Sequence, residues 1–434
     1  MQTDRRVVEH PAWVIIGRLV SLSGRRLAAT LVALWVIAFA AMNAVADALP
    51  PSTWVALKSL PRQGRTAIFA LAVDPSNSQQ LIAGNSEGSL LRSTDGASNW
   101  TSVYTGKTAL TTIVFSPFNS GLVLAGTRGS GGLVSRDGGA TWSVATGLEG
   151  RQVRVFTFSL TLVAAGTDQG VFISQDGSSW KQSGLANRSI DALAVTAIHA
   201  PVRIIAGSDG PLSAGTVPMF QSADGGVNWS PLSPAVSGSF IVKLAAGPLP
   251  PVGDTRPVIA GTNAGLFASN DNGLSFVALS GGIVLPSTDY TQLAFITDHH
   301  DRFYAASDGG GSGAGGIWRT NDGGQSFGSL VPPMRSITAL AVSNDESPFL
   351  YVATFRPSDH VAALWVYRDT GGTPQGPIGS PTPVASGGRT SSGSSASSMF
   401  DFLTWSQTPY IALGMGALVV VLLAFLANAR SRRR

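Results

Sequence analysis

The chain contains no cysteine. That absence removes a disulfide framework, a thiolate metal centre and a cysteine nucleophile, so the fold has to hold by packing and hydrogen bonding alone. Charge is scarce too: Asp, Glu, Lys and Arg make up 12% of the residues, and Glu9, Glu87, Glu149 and Glu346 are all the glutamates there are. Histidine is thin as well. The one local cluster, His299-His300-Asp301, falls where a first-to-second-strand turn is expected, so it reads as a solvated polar turn and no metal site is expected. No Ser/His/Asp set and no phosphate-cradling glycine loop stands in a strand-to-helix context, and no cofactor is expected.

A sequence pI near 9.6 suggests nucleic acid until the charge is divided by segment. Residues 1–26 carry +3 and the last five residues carry +4, against +4 for the whole chain, which leaves the long middle mildly acidic. No basic stripe is left to follow a phosphate backbone, so nucleic acid is not an expected partner. Instead, each basic tail flanks an apolar run. Leu27 to Ala46 is uncharged over about the length that a spanning helix needs. It follows an arginine pair and precedes Pro50-Pro51, which favours a retained anchor; the small residues Ala44-Val45-Ala46 and Ala46-Asp47-Ala48 keep cleavage as the alternative. The run from about Tyr410 to Ala427 stops at Arg430-Ser431-Arg432-Arg433-Arg434, a stop-transfer pattern with its arginines on the cytoplasmic side. Either fate of the first run places the middle of the chain outside the cytoplasm. A chain without thiols fits a bacterial envelope protein.

Between these runs the chain repeats. Ser93-Thr94-Asp95-Gly96-Ala97-Ser98-Asn99-Trp100 recurs as Ser135-Arg136-Asp137-Gly138-Gly139-Ala140-Thr141-Trp142, with further copies centred on Asp176, Asp224, Asp271 and Asp322 and a degraded one at Asp369. Successive aspartates lie 39 to 51 residues apart, the period of a propeller or array. Each period has an alternating run (Ile68-Phe69-Ala70-Leu71-Ala72-Val73), a short run ending in small residues (Leu81-Ile82-Ala83-Gly84), a third run entering the turn and a fourth leaving from its aromatic, which makes four strands per unit. The small residues closing the second run are expected to serve close packing near an axis. In the turn, glycines permit positive φ and the aspartate can accept backbone N–H bonds, so the motif reads as a fold-stabilising turn; the ligand-dense spacing of a calcium loop is missing. Ala97, Asn272 and the third turn, one residue short, depart from the pattern and predict slightly irregular units.

These turns resemble the Asp-box (BNR) repeats of sialidases, sortilin-type receptors, xyloglucanase-like glycosidases and the photosystem II assembly-factor family. The resemblance implies an all-β, seven-bladed β-propeller. The seventh unit lacks a fourth strand, and Trp54-Val55-Ala56-Leu57-Lys58-Ser59-Leu60 matches the post-turn strand Phe276-Val277-Ala278-Leu279-Ser280, so the N-terminal strand is expected to close the ring and leave no open edge. By analogy with such propellers, the aspartate turns occupy one face and ligands approach the other. On that second face fall Arg62, Arg65, Arg128, Arg151, Arg188, Arg335 and Arg356, set against Glu87, Glu149, Asp168, Asp209, Asp308 and Asp359. Asp95, Asp137, Asp176, Asp224, Asp271, Asp322 and Asp369 are expected to be structural, and no residue is assigned a catalytic role. A sialidase-like site would need three clustered arginines and a Tyr beside a Glu, and Phe355-Arg356-Pro357 is a poor echo of the Phe-Arg-Ile-Pro stretch those enzymes usually carry. Fold and function are separable in this superfamily.

The resulting expectation is a basic cytoplasmic N-terminus (1–26), a spanning helix or signal anchor (27–48), the propeller (50–370), a Gly/Ser/Pro-rich stalk (371–400), a second spanning helix (409–428) and a basic tail (429–434). The expected role is that of an integral membrane protein displaying a non-catalytic binding or scaffold module for a protein or polymer such as a polysaccharide. A cell-surface glycosidase is the alternative.

Overall fold

The computed structural model describes residues 49–57 and 66–371, apart from short breaks at 200, 209–214, 234–235, 249–254, 280–284, 287–288, 297–298, 310–314, 357 and 359, together with the backbone of Gln375–Ile378. Both apolar runs, Arg62 and Arg65 lie outside these residues, as does nearly all of the expected stalk. Among the described residues no helix is long and apolar enough to cross a membrane.

Seven sheets follow one another in chain order, the first six antiparallel and built of strands close in sequence. Blade one, for example, is Ile68–Asp74, Asn77–Asn85, Ser89–Ser93 and Thr101–Thr105. The inner strands contact their neighbours all the way round, including Ile68–Asp74 of blade one against Ile337–Val342 of blade seven, so the ring is closed. The alternating pattern is what permits this. One face of each sheet buries against the preceding blade and the other against the next, and the apolar clusters draw residues from two adjacent blades; one unites Leu124 and Val134 of blade two with Phe156 and Phe172 of blade three.

Closure uses the N-terminal strand. Thr53–Ala56 pairs antiparallel with Val361–Arg368 as the fourth strand of blade seven, with Trp54 opposite Tyr367. The Leu57 amide donates to the Leu364 carbonyl (2.9 Å) as Leu279 donates to Leu266 and Leu330 to Ile317. Trp54, three residues before Leu57, therefore stands in the register of Phe276 and Phe327. It is fully buried, and its indole N–H donates to the Leu330 carbonyl of blade six at 2.7 Å. A fifth strand extends the sheet: Gln375–Ile378 runs parallel to Thr53–Ala56 along its outer edge. This strand falls inside the stretch whose composition reads as a stalk. The backbone groups left open on the outer edge of Thr53–Ala56 supply the partners that composition does not reveal.

The small residues that close each second strand serve blade-to-blade contact and not the axis. A Cβ on Gly84 would sit 2.6 Å from Leu110 Cβ, and one on Gly207 2.5 Å from Ile241 Cγ2, each the first residue of the next blade's inner strand. Glycine there lets adjacent blades meet without a gap.

The aspartate turns share one hydrogen-bond scheme. Ser135 Oγ donates to Asp137 Oδ1 (2.8 Å) and accepts from the Gly139 amide (2.8 Å), while Asp137 Oδ1 accepts from the Thr141 amide at 2.9 Å. The same atoms pair in the turn of Ser93, Asp95 and Asn99 and in that of Thr320, Asp322 and Ser326. The Thr141 hydroxyl and amide hold the Asp137 carboxyl down at about 2. Two of the departures keep the geometry, Ala97 with φ 70° and Asn272 with φ 62°, beside Gly139 at 83° and Gly138 at 66°; the short third turn shifts its bonds, the Gly177 amide reaching Ser174 Oγ over three residues instead of four and Asp176 Oδ1 accepting from the Ser178 and Ser179 amides. At Ala97 and Asn272 the irregularity is energetic, since a non-glycine residue in the left-handed region costs about 1–2 kcal/mol.

Asp369 differs from the other six. One turn bond survives, from the Gly371 amide at 2.9 Å, but the residue is fully buried and its carboxylate reaches into blade six. There Tyr304 donates to it at 2.5 Å and Arg302 at 3.1 Å, and Arg319 pairs with its other oxygen. The seventh aspartate acts as an ionic tie between blades and not as a turn clamp.

Candidate functional site

The face opposite the aspartate turns is built from the connections between blades and the loops joining second to third strands. Five of the seven arginines expected there are described. Arg128 leaves the second strand of blade two, and its amide donates to Ala109 at 2.9 Å, so its backbone is fixed beside the entrance to blade two. Arg151 and Arg188 end the connections into blades three and four, their amides donating to Leu148 (3.1 Å) and Leu185 (3.2 Å). Their guanidinium groups lie over Phe172 (5.8 Å) and Phe220 (4.8 Å), third-strand aromatics of the blades they enter. Arg335, exposed, precedes the inner strand of blade seven, and Arg356, also exposed, ends the second strand of that blade.

The acids on this face are occupied locally. Glu149 accepts from the Gly147 amide (2.8 Å), Asp168 from the Gln152 amide (3.0 Å) and Glu87 from the Thr66 hydroxyl (3.1 Å). The four ion pairs among the described residues include none of Arg128, Arg151, Arg188 and Arg335. Stacking on a ring orients a guanidinium without neutralising it, so Arg151 and Arg188 keep their donors for another partner.

At the centre of this face the ring axis opens into a cavity of about 720 Å³, lined by residues that include Arg128, Gln152, Arg154, Asp191, Lys243 and Gln292. Arg154 and Asp191, from the inner strands of blades three and four, form an ion pair across the gap between blades. At the opposite end of the axis, Arg256 caps the carbonyls of Gly247 (2.7 Å) and Val195 (3.1 Å), and burial pushes its guanidinium down to about 10. Arg154, Asp191, Lys243 and Arg256 carry the charge of this channel, and none stands out in the chain. Val153-Arg154-Val155 looks like ordinary alternation. Aligning the inner strands blade by blade exposes the first two: the position of Arg154 and Asp191 holds Phe69, Thr111, Val242, Thr291 and Thr338 elsewhere.

His299 and His300 begin the second strand of blade six, and among the described residues no group of three His, Asp or Glu side chains is placed to hold a metal. Phe355 of the weak enzyme-like stretch packs edge-on against His360 at 6.2 Å. The long loops from Ser208, Ser280 and Ser307 lie largely outside the described residues.

No protein-family model and no curated protein sequence matches the chain. Among solved structures, it is similar to the WD40 β-propeller domain of Doa1 (14% identity, TM-score 0.54, 74% of this chain and 98% of that one). It is also similar to YCF48 from Cyanidioschyzon merolae (16%, TM-score 0.48, 73% and 98%) and to a GH74 enzyme of Niastella koreensis (16%, TM-score 0.40, 70% of this chain but 55% of the enzyme). At such identities the likeness is one of fold, and the chain is a seven-bladed β-propeller.

Proposed function

We propose that the chain is a membrane-anchored, extracytoplasmic propeller of Asp-box type that works as a binding scaffold, with its loop face receiving an anionic region of a protein or polymer partner. The observation that carries this reading is the set of Arg128, Arg151, Arg188 and Arg335 on one face with no acid paired to any of them among the described residues. Surface arginines with free forks suit bidentate recognition of carboxylate, sulfate or phosphate groups. The turn scheme supports the Asp-box assignment, and the apolar runs beside basic tails support the anchoring. Capture of partners by the full-length protein from its own envelope tests the reading: Arg151→Glu with Arg188→Glu should abolish capture of at least one partner that the parent retains. Unchanged capture by this pair and by a variant reversed at Arg62, Arg65 and Arg335 refutes it.

One observation favours a glycosidase as the second reading. Asp289 precedes the inner strand of blade six, half-buried, and its pKa is raised by burial and then by the charge of Asp308. Two interacting carboxyls, one with its pKa raised, are the kind of pair that acid-assisted glycoside cleavage uses. Turnover in a glycan-hydrolysis screen that is lost in Asp289→Asn would establish it.

A further inference from the structure

The channel through the ring holds a cation with nothing to neutralise it. In each blade one inner-strand residue pairs with the small residue that closes the second strand. It is Ala70, Thr112, Val155, Ala192 and Ala339 in blades one to four and seven, but Lys243 and Gln292 in the adjacent blades five and six. Lys243 lines both the loop-face cavity and the apolar opening on the turn side, so its ammonium belongs to the waist of the channel. Among the described residues no ion pair includes it and no hydrogen bond holds it.

The other charges lining these two openings do not compensate. Asp191 is paired with Arg154, Arg128 stands at the loop-face rim, and Arg256 is spent on carbonyls at the far end. Arg154 adds a second open donor, a buried Nε with no hydrogen-bond partner. Burial also pushes the Lys243 ammonium below the ordinary lysine range. Lys243 is half-buried, and a charge partly withdrawn from water is usually paired, because lost hydration is otherwise uncompensated. A scaffold requirement does not explain the lysine, since the ring closes with Ala, Val or Thr at the same level in five blades.

We propose that the channel is a binding site for a single carboxylate or oxyanion group, held at Lys243 with Gln292 as a neighbouring donor and admitted past Arg128 and Arg154. The cavity of about 720 Å³ is far larger than such a group. Two sources share this chemistry: a free small anion, or the acidic end of a chain threaded from the loop face. The site shares only Arg128, at its rim, with the outer arginines; loss of partner capture in Arg151→Glu with Arg188→Glu and loss of anion binding in Lys243→Met are therefore separate outcomes.

The test titrates the full-length protein in detergent with acetate, sulfate and phosphate at constant ionic strength, read by calorimetry. A parallel arm uses a short uncharged peptide with a free C-terminal carboxylate and its amidated twin. The parent binds at least one probe saturably, Lys243→Met weakens that binding about ten- to hundredfold, Lys243→Arg largely restores it, and Lys181→Gln, on the outer strand of blade three, leaves it unchanged. Binding of the simple anions assigns a free ion; binding confined to the free-carboxylate peptide assigns a chain end. Absence of saturable binding in either arm, or a Lys243→Met protein that keeps its fold by circular dichroism and binds as the parent does, overturns the proposal.

Discussion

Asp369 shows what burial does to one member of a repeated motif. Its exposed or half-buried counterparts each clamp their own turn, whereas Asp369 has no exposed surface and ties Arg302, Arg319 and Tyr304 of blade six to the closing blade. Burial opposes its charge, but the Tyr304 bond, the Gly371 amide and the two arginines win, and its pKa lies below the ordinary value. Asp369→Asn leaves two guanidinium groups facing a neutral side chain and should cost about 3–5 kcal/mol at neutral pH. Because the folded-state pKa is depressed, the stabilisation is present in full above the unfolded aspartate value of about 3.9 and is lost as pH falls through the folded value. Urea unfolding at pH 7 and at pH 3 should therefore show a large gap between parent and variant at the first and a narrower one at the second. Gly139 is a second sensitive point. It holds φ 83°, and a Cβ would lie 2.2 Å from Ile82 Cδ1 of the preceding blade. Gly139→Ala should lose about 2–4 kcal/mol of unfolding free energy in the same measurement, from backbone strain and overpacking together.

The strand Thr53–Ala56 is the element on which ring closure depends. Removing residues 50–61 takes away Trp54, its bond to Leu330 and the partner of Val361–Arg368, and it strands Gln375–Ile378 as well. The truncated protein should melt well below the parent by calorimetry; an equal melting temperature would show that the ring closes without it. Trp54→Ala alone should cost about 3–5 kcal/mol. The blades and this closure are legible in the chain because they rest on local, repeated signals: Asp-Gly turns, alternating runs and a detached strand that matches Phe276-Val277-Ala278-Leu279. The parallel strand at 375–378 is not legible, since its stability comes from an edge more than 300 residues away in sequence. The channel charges escaped for a related reason. An inner strand has one side facing neighbours and one facing the axis, and Arg154 or Lys243 in an otherwise apolar run reads as simple alternation until the blades are superposed. The loop-face arginines were legible as positions, but their stacking on Phe172 and Phe220 needed the third-strand partners in place.

At the scale of the whole molecule, charge is sorted by location. The basic tails sit beside apolar runs, the aspartates of the turns gather on one face, and unpaired arginines lie on the other. The absence of cysteine makes the proposed topology directly measurable. In intact cells a membrane-impermeant maleimide should label Thr94→Cys, at an exposed turn position, and should not label Ser431→Cys until the membrane is permeabilised. The central claim, that partners dock on the loop face, is tested most directly by photo-crosslinking in native membranes. A benzophenone amino acid at Arg188 or Arg335 is predicted to give discrete partner adducts, while the same group at Thr94 among the aspartate turns gives none. Adducts formed from Thr94 and absent from Arg188 and Arg335 would contradict the account.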